Sequence, residues 1–87
     1  MNNLIKYVMK FETVAEAGDV SSDCNAISFI NQGATALLIN GLEVAAGDSF
    51  TLSGEGLEYD TTVYRIQFTG SGANKCVIVR KFYQNEA

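Results

Sequence analysis

The sequence predicts an all-β domain, a small antiparallel β-sandwich of the jelly-roll or immunoglobulin-like kind with about six to eight short strands. The strongest indication is the Asn40-Gly41 pair between two apolar runs, because both central residues of a type I′ hairpin turn need positive φ. A second is the alternation in residues 63–69, where every second side chain from Tyr64 to Phe68 is apolar. A third is composition, since eight glycines, no proline and 47% apolar residues suit short packed strands joined by tight turns.

The N-terminal residues fit two periods. A helix would place on one face Leu4, Tyr7, Val8, Phe11 and Val14. A strand would align Ile5, Tyr7, Met9 and Phe11. The β-branched and aromatic content favours a strand from Lys6 onward, followed by a polar loop at residues 18–23. We therefore divide the single domain into an N-terminal strand or assembly arm, residues 1–22, and a β-sandwich core, residues 23–87.

The core segment contains the regular strand signals. Strands are predicted at residues 25–31, 35–39, 42–44, 49–53, 63–69 and 75–83. In the fourth of these we expect Phe50 and Leu52 to point inward. Turns containing glycine, asparagine or aspartate separate the strands, and residues 54–60 form an acidic loop.

Net charge argues against two classes of partner. Six basic and ten acidic residues give a net charge of −4, and the basic residues are scattered, so neither nucleic acid nor an anionic membrane is expected as a partner. Lys6 and Lys10 interrupt the only N-terminal stretch that could resemble a signal peptide, and no segment has the length of a membrane span. We expect a protein made and kept in a cytoplasm, or in a particle assembled there.

The inventory of reactive residues argues against an enzyme. The chain has no histidine, so it lacks the base of a Ser-His or Cys-His pair, and no phosphate-binding loop is present. Cys24 and Cys76 are predicted to be small buried residues in a reducing compartment. A disulfide between them is the alternative that the sequence leaves open. We expect no catalytic residues, no cofactor and no metal.

Two groups of side chains suggest binding instead. Asp48, Glu55, Glu58 and Asp60 fall in neighbouring loops and offer oxygen ligands for a hard cation, but their spacing matches no calcium motif and a solvated loop is favoured. The tyrosines suggest an alternative function, a small glycan-binding module in which Tyr59 stacks on sugar.

Both ends of the chain are apolar on both faces. A sandwich strand normally leaves one face to water, and a domain this small has little material to cover a second. Either a loop covers these strands or they form a subunit interface. The interface candidates are Leu4, Ile5, Tyr7, Val8, Phe11, Val77, Val79, Phe82 and Tyr83.

The segment from residue 25 to residue 83 resembles small all-β accessory and structural proteins from the virions of tailed bacteriophages. The resemblance is carried by Ile27-Ser28-Phe29-Ile30-Asn31-Gln32-Gly33, Leu38-Ile39-Asn40-Gly41-Leu42, Ala46-Gly47-Asp48-Ser49, Tyr59-Asp60-Thr61-Thr62-Val63-Tyr64 and Ile78-Val79-Arg80-Lys81. It implies a viral structural protein located in the virion, such as a capsid decoration or a head or tail accessory protein. Such a subunit would form a homo-oligomer and dock on other virion proteins. The resemblance brings no catalytic residues, and it leaves out residues 1–22.

Overall fold

A computed structural model describes residues 6–53 and 58–84 of the chain. These residues form eight strands and no helix, so none of them belongs to a helix able to cross a bilayer. The strands are β1 (Lys6–Val14), β2 (Gly18–Ser21), β3 (Ala26–Asn31), β4 (Leu37–Ile39), β5 (Leu42–Val44), β6 (Ser49–Ser53), β7 (Val63–Phe68) and β8 (Cys76–Gln84). The all-β prediction is confirmed.

The strands form two antiparallel four-stranded sheets. Sheet I has the order β1-β8-β3-β6 and sheet II the order β2-β7-β4-β5. Successive strands alternate between the sheets except for β4 and β5, which form a hairpin within sheet II. This is the strand order of a jelly roll, in which two Greek keys wrap into facing sheets. Of the two topologies left open by the sequence, the structure has the jelly roll.

The predicted loop at residues 18–23 is wrong, because Gly18–Ser21 is strand β2 at the edge of sheet II. It pairs with β7 from Gly18 opposite Ile66 to Ser21 opposite Val63. Only Val20 of this short strand is buried, so four residues give no visible alternation. β1 and β2 both fall within residues 1–22, and each pairs with a strand from residues 23–87.

The Asn40-Gly41 turn adopts the predicted conformation, with φ of 49° and 86°. Its asparagine is also tied to the neighbouring strand β7. The Arg65 amide donates to Asn40 Oδ1 at 2.7 Å, and the Asn40 amide donates to the Arg65 carbonyl oxygen at 3.0 Å. The turn therefore sets the register of the hairpin and also fixes the hairpin to β7, its neighbour in sheet II.

The core lies between the two sheets and is built from both. Phe29 of sheet I meets Tyr64 of sheet II edge to face, with ring centroids 5.1 Å apart, and stacks on Phe50 at 6.5 Å. Leu52 lies opposite Ile27 on the same inner face, yet it is 39% exposed because β6 is an edge strand. The inward orientation predicted for Leu52 is thus confirmed, and its place on an edge strand leaves it partly exposed. Cys24 and Cys76 are both buried and free, and burial raises the pKa of Cys76 to about 11.

Candidate functional site

Strands β1 and β8 form a two-stranded ribbon that extends beyond the sandwich. They pair along nine residues, from Lys6 opposite Gln84 to Val14 opposite Cys76. β3 pairs with β8 only as far as Lys81, so among the described strands only β1 lies beside the last residues of β8. The molecule is correspondingly long, 53 × 20 × 17 Å, with a radius of gyration of 14.4 Å against about 12 Å for a compact chain of this length. We call β1 and β8 together the β1–β8 ribbon.

One face of the ribbon points away from the core and is apolar. Ile78 faces the core, and side chains alternate along a strand, so Val77 and Val79 of β8 lie on the outer face. The register places the odd-numbered residues of β1 beside them. Tyr7, Met9 and Phe11 are 51%, 47% and 68% exposed. These three exposed apolar side chains, next to half-buried valines, form one outward surface rather than isolated residues.

Lys81 brings a positive charge to this outer face. Its Nζ lies 4.1 Å from the centre of the Tyr7 ring and 5.4 Å from that of Tyr83. Such cation–π contacts favour a lysine side chain that lies across the outer face beside both tyrosine rings. A shallow groove of about 230 Å³ continues from Met9 and Tyr83 across to Thr51 of β6.

The inner face of the ribbon is fastened to sheet II by Arg80. Arg80 Nη2 donates to the Ser21 carbonyl oxygen at 2.9 Å, and its Nε donates to that of Ser22 at 3.2 Å. Arg80 Nη1 donates to Glu12 Oε1 at 2.8 Å, so the same guanidinium joins β8 to β1. Only 17% of the Arg80 side chain is exposed. Beyond this contact, Phe82 and the partly exposed Val8 continue along the inner face, with Lys10 Nζ 5.3 Å from the Phe82 ring centre.

The structure brings most of the predicted interface residues together. Tyr7, Phe11, Val77, Val79 and Tyr83 share the outer face of the ribbon, whereas Val8 and Phe82 lie on its inner face. Leu4 and Ile5 lie outside the described residues. Met9 lies within the apolar N-terminal segment but was not among the individually named interface candidates, although its spacing of two from both Tyr7 and Phe11 marks the same strand face. Lys81 lies within the C-terminal segment and was not named either, because its position between two tyrosines depends on the pairing of β8 with β1.

Tyr59 lies at a separate site, a cleft of about 390 Å³ near the start of β3 and the end of β6. Tyr59 is 57% exposed, and its hydroxyl donates to the Asp23 carbonyl oxygen at 2.7 Å. Asp60 lines the same cleft but is occupied internally: its Oδ2 accepts from the Tyr64 hydroxyl at 2.6 Å and its Oδ1 from the Thr62 amide at 2.8 Å.

The charge state of the Asp60–Tyr64 pair follows from these contacts. Burial opposes ionisation of Asp60, but hydrogen bonds from Tyr64, Thr62 and Ser22 outweigh it and lower its pKa to about 2. Burial and the bond to Asp60 raise the pKa of Tyr64 to about 12. The pair is therefore a fixed structural contact at neutral pH.

The acidic side chains considered for a cation do not assemble into a site among the described residues. Glu55 lies outside the described residues. Within residues 6–53 and 58–84, no three Asp, Glu, Cys or His side chains are grouped closely enough to hold a metal ion.

No protein-family model, characterised protein or solved structure matches this chain. The jelly roll by itself is used by viral capsid domains and by lectins, so the fold does not choose between the two functions suggested by the sequence. The choice between a virion subunit and a glycan-binding module therefore depends on the surface of the described residues.

Proposed function

We propose that this protein is a non-enzymatic structural subunit that self-associates through the β1–β8 ribbon and docks on other proteins of a bacteriophage particle. The observation that carries the proposal is the apolar outer face of a nine-residue edge strand. Natural proteins protect sheet edges by keeping them short or charged, because an open edge pairs with other chains. The other described edge strands have three to five residues, and β1 is the long one.

The size of the exposed surface supports association. Complete burial of a Phe or Met side chain stabilises by about 1.5–3 kcal/mol, and Tyr7, Met9 and Phe11 are each about half exposed or more. Contact between these side chains on two copies would bury part of this exposed area and so offset part of the cost of bringing two molecules together. Placement in a phage particle is supported by the sequence resemblance in residues 25–83 alone.

Self-association is tested by light scattering of the purified protein at low micromolar concentration. We expect a multiple of the 9.4 kDa subunit mass. Phe11→Glu places a charge at the most exposed apolar position of the ribbon and should return the protein to monomer. Val63→Glu is the matched control, because Val63 is 54% exposed on β7 of the other sheet and should leave the mass unchanged. A monomeric wild-type protein would refute self-association.

The particle assignment has its own test. Mass spectrometry of purified phage particles should detect the protein in a fixed ratio to the major capsid or tail subunit. Particles that lack the protein while lysates contain it would refute a place in the virion, whatever the oligomeric state.

A glycan-binding module is the second candidate, favoured by the exposed and hydroxyl-anchored ring of Tyr59 beside its cleft. Aromatic rings fixed at the side of a cleft stack on the apolar faces of sugars. Binding on a glycan array should be lost in Tyr59→Ala and kept in Tyr59→Phe, which retains the ring. A glycan array with no signal for the wild-type protein would count against this function.

A further inference from the structure

We infer that two copies of this chain pair through β1, antiparallel to each other, about a two-fold axis at Met9. The pairing would join the two copies of sheet I into one continuous eight-stranded sheet. This inference rests on the proposed self-association and specifies its partner strand and its register.

The backbone of β1 is oriented for this pairing. The Tyr83 amide donates to Asn25 Oδ1 and the Asn25 amide donates to the Lys81 carbonyl oxygen, so odd-numbered residues of β8 direct their backbone groups towards β3. In an antiparallel sheet this direction alternates, so the even-numbered residues of β8 face β1. By the observed register they meet the even-numbered residues of β1. Tyr7, Met9 and Phe11 therefore present their N–H and C=O groups to the open side of β1.

The same three residues carry the exposed apolar side chains. With the axis at Met9, each Met9 faces the partner subunit's Met9, and each Tyr7 faces the partner subunit's Phe11. All three pairs have their backbone groups directed at each other, so they form the hydrogen-bonded pairs of the new ladder. The axis runs perpendicular to the sheet, which keeps both outer faces on the same side and makes one apolar surface from the two copies.

Charge selects this register from its neighbours. An axis at Lys10 places Lys10 against the partner's Lys10, and an axis at Val8 places Lys6 against the partner's Lys10. Like charges directly opposite each other destabilise a sheet. The axis at Met9 instead places Lys6 opposite the partner's Glu12, whose side chain is 50% exposed.

An axis at Phe11 also avoids like charges, because it places Lys10 opposite the partner's Glu12. It places Met9 opposite Thr13 of the partner subunit, however, and leaves Tyr7 opposite a residue beyond the end of β1. Of the registers compared, only the one with its axis at Met9 places Tyr7 of each copy opposite Phe11 of the partner subunit. β6, the other edge of sheet I, presents the polar Ser49 and Thr51 outward and lacks a comparable apolar stripe.

Cysteine cross-linking tests the register directly. Residues in a hydrogen-bonded antiparallel pair have Cα atoms about 5.5 Å apart, within the span of a disulfide. Met9→Cys should give a disulfide-linked dimer on a non-reducing gel after mild oxidation by air and a copper catalyst. Tyr7→Cys alone and Phe11→Cys alone should give no disulfide-linked dimer, whereas the mixture of the two variants should give one. The wild-type protein is the control, because Cys24 and Cys76 are fully buried.

The outcomes separate the register from self-association. Self-linking of Phe11→Cys without that of Met9→Cys would overturn the Met9 register. If no variant cross-links while light scattering shows wild-type dimers, β1 pairing is refuted and self-association through another surface remains. If the wild-type protein is monomeric, both the inference and the proposed self-association fail.

Discussion

Replacing Tyr64 by Phe tests whether the Asp60–Tyr64 contact sets the pH dependence of stability. The substitution keeps the buried ring and its edge contact with Phe29 and removes only the hydroxyl that donates to Asp60 at 2.6 Å. A hydrogen bond to a charged group contributes about 1.5–3 kcal/mol, so we expect the free energy of unfolding at neutral pH to fall by about 2 kcal/mol. The Thr62 amide remains on Asp60, so the carboxylate keeps a donor.

The sign of the pH effect follows from the lowered pKa of Asp60. Folding moves this pKa from 3.8 to about 2, so the carboxylate stabilises the folded state above pH 3.8 and that stabilisation is lost as the pH falls towards 2. At about 1.4 kcal/mol per pKa unit, the full effect is about 2 kcal/mol. Without the Tyr64 hydroxyl, the folded pKa should rise towards 3.8, and the variant should lose less stability on acidification.

The raised pKa of Tyr64 predicts a second change in stability, at alkaline pH. The pKa of Tyr64 is raised from 10.0 to about 12, so the neutral phenol stabilises the folded state below pH 10 and this stability is lost as the pH rises towards 12. Tyr64→Phe removes that loss altogether. Its destabilisation relative to wild type should therefore be largest near neutrality and smaller at both extremes.

Urea unfolding of both proteins at acid, neutral and alkaline pH measures these differences. An NMR titration of the Asp60 carboxyl provides the pKa independently of stability. The contrary result is that Tyr64→Phe lowers the free energy of unfolding by the same amount at neutral pH and near pH 2 and leaves the Asp60 pKa unchanged. That result would refute the assignment of the Asp60 pKa shift to the Tyr64 hydroxyl.

Two further substitutions test the packing. Arg80→Met should lower the free energy of unfolding by about 2 kcal/mol, because it leaves two carbonyl oxygens near the end of β2 without their charged donor. Arg65→Met is the control and should lower the free energy of unfolding by less than about 1 kcal/mol, because the Arg65 side chain forms an exposed ion pair with Asp19 and its backbone hydrogen bonds are kept. Equal losses in the two variants would contradict the role of Arg80 in joining β8 to the end of β2. Gly33→Ala should destabilise strongly in thermal melts, because its Cβ would lie 2.6 Å from the Lys75 backbone nitrogen. Gly18→Ala, which meets nothing within 4 Å, should change little; similar melting temperatures for both would contradict this.

The sequence was most informative where a few neighbouring residues decide the structure. Asn40-Gly41 predicts its turn because the required positive φ is a property of those two residues. The alternation in β7 likewise predicts which side chains are buried, since β7 lies between β2 and β4 with one face on the core. β2 was missed because a four-residue edge strand with one buried side chain has no period to detect.

The candidate interface was predictable in part. Apolar residues at both chain ends pointed to β1 and β8, but their assignment to an outer and an inner face needed the pairing of two strands that are about sixty residues apart. The same long-range pairing brings Lys81 over the ring of Tyr7 and Arg80 to Glu12. No local pattern encodes these contacts, because each joins residues from opposite ends of the chain.

The sequence by itself determined that this protein is all-β, where its tight hairpin lies and that its ends are unusually apolar. Those properties follow from backbone preferences and from periods of two, which act over a few residues. Only the tertiary structure decided the jelly-roll order, the membership of β2 in sheet II and the single apolar face of the β1–β8 ribbon. These depend on which distant strands become neighbours, and that choice is made by burial of the core as a whole.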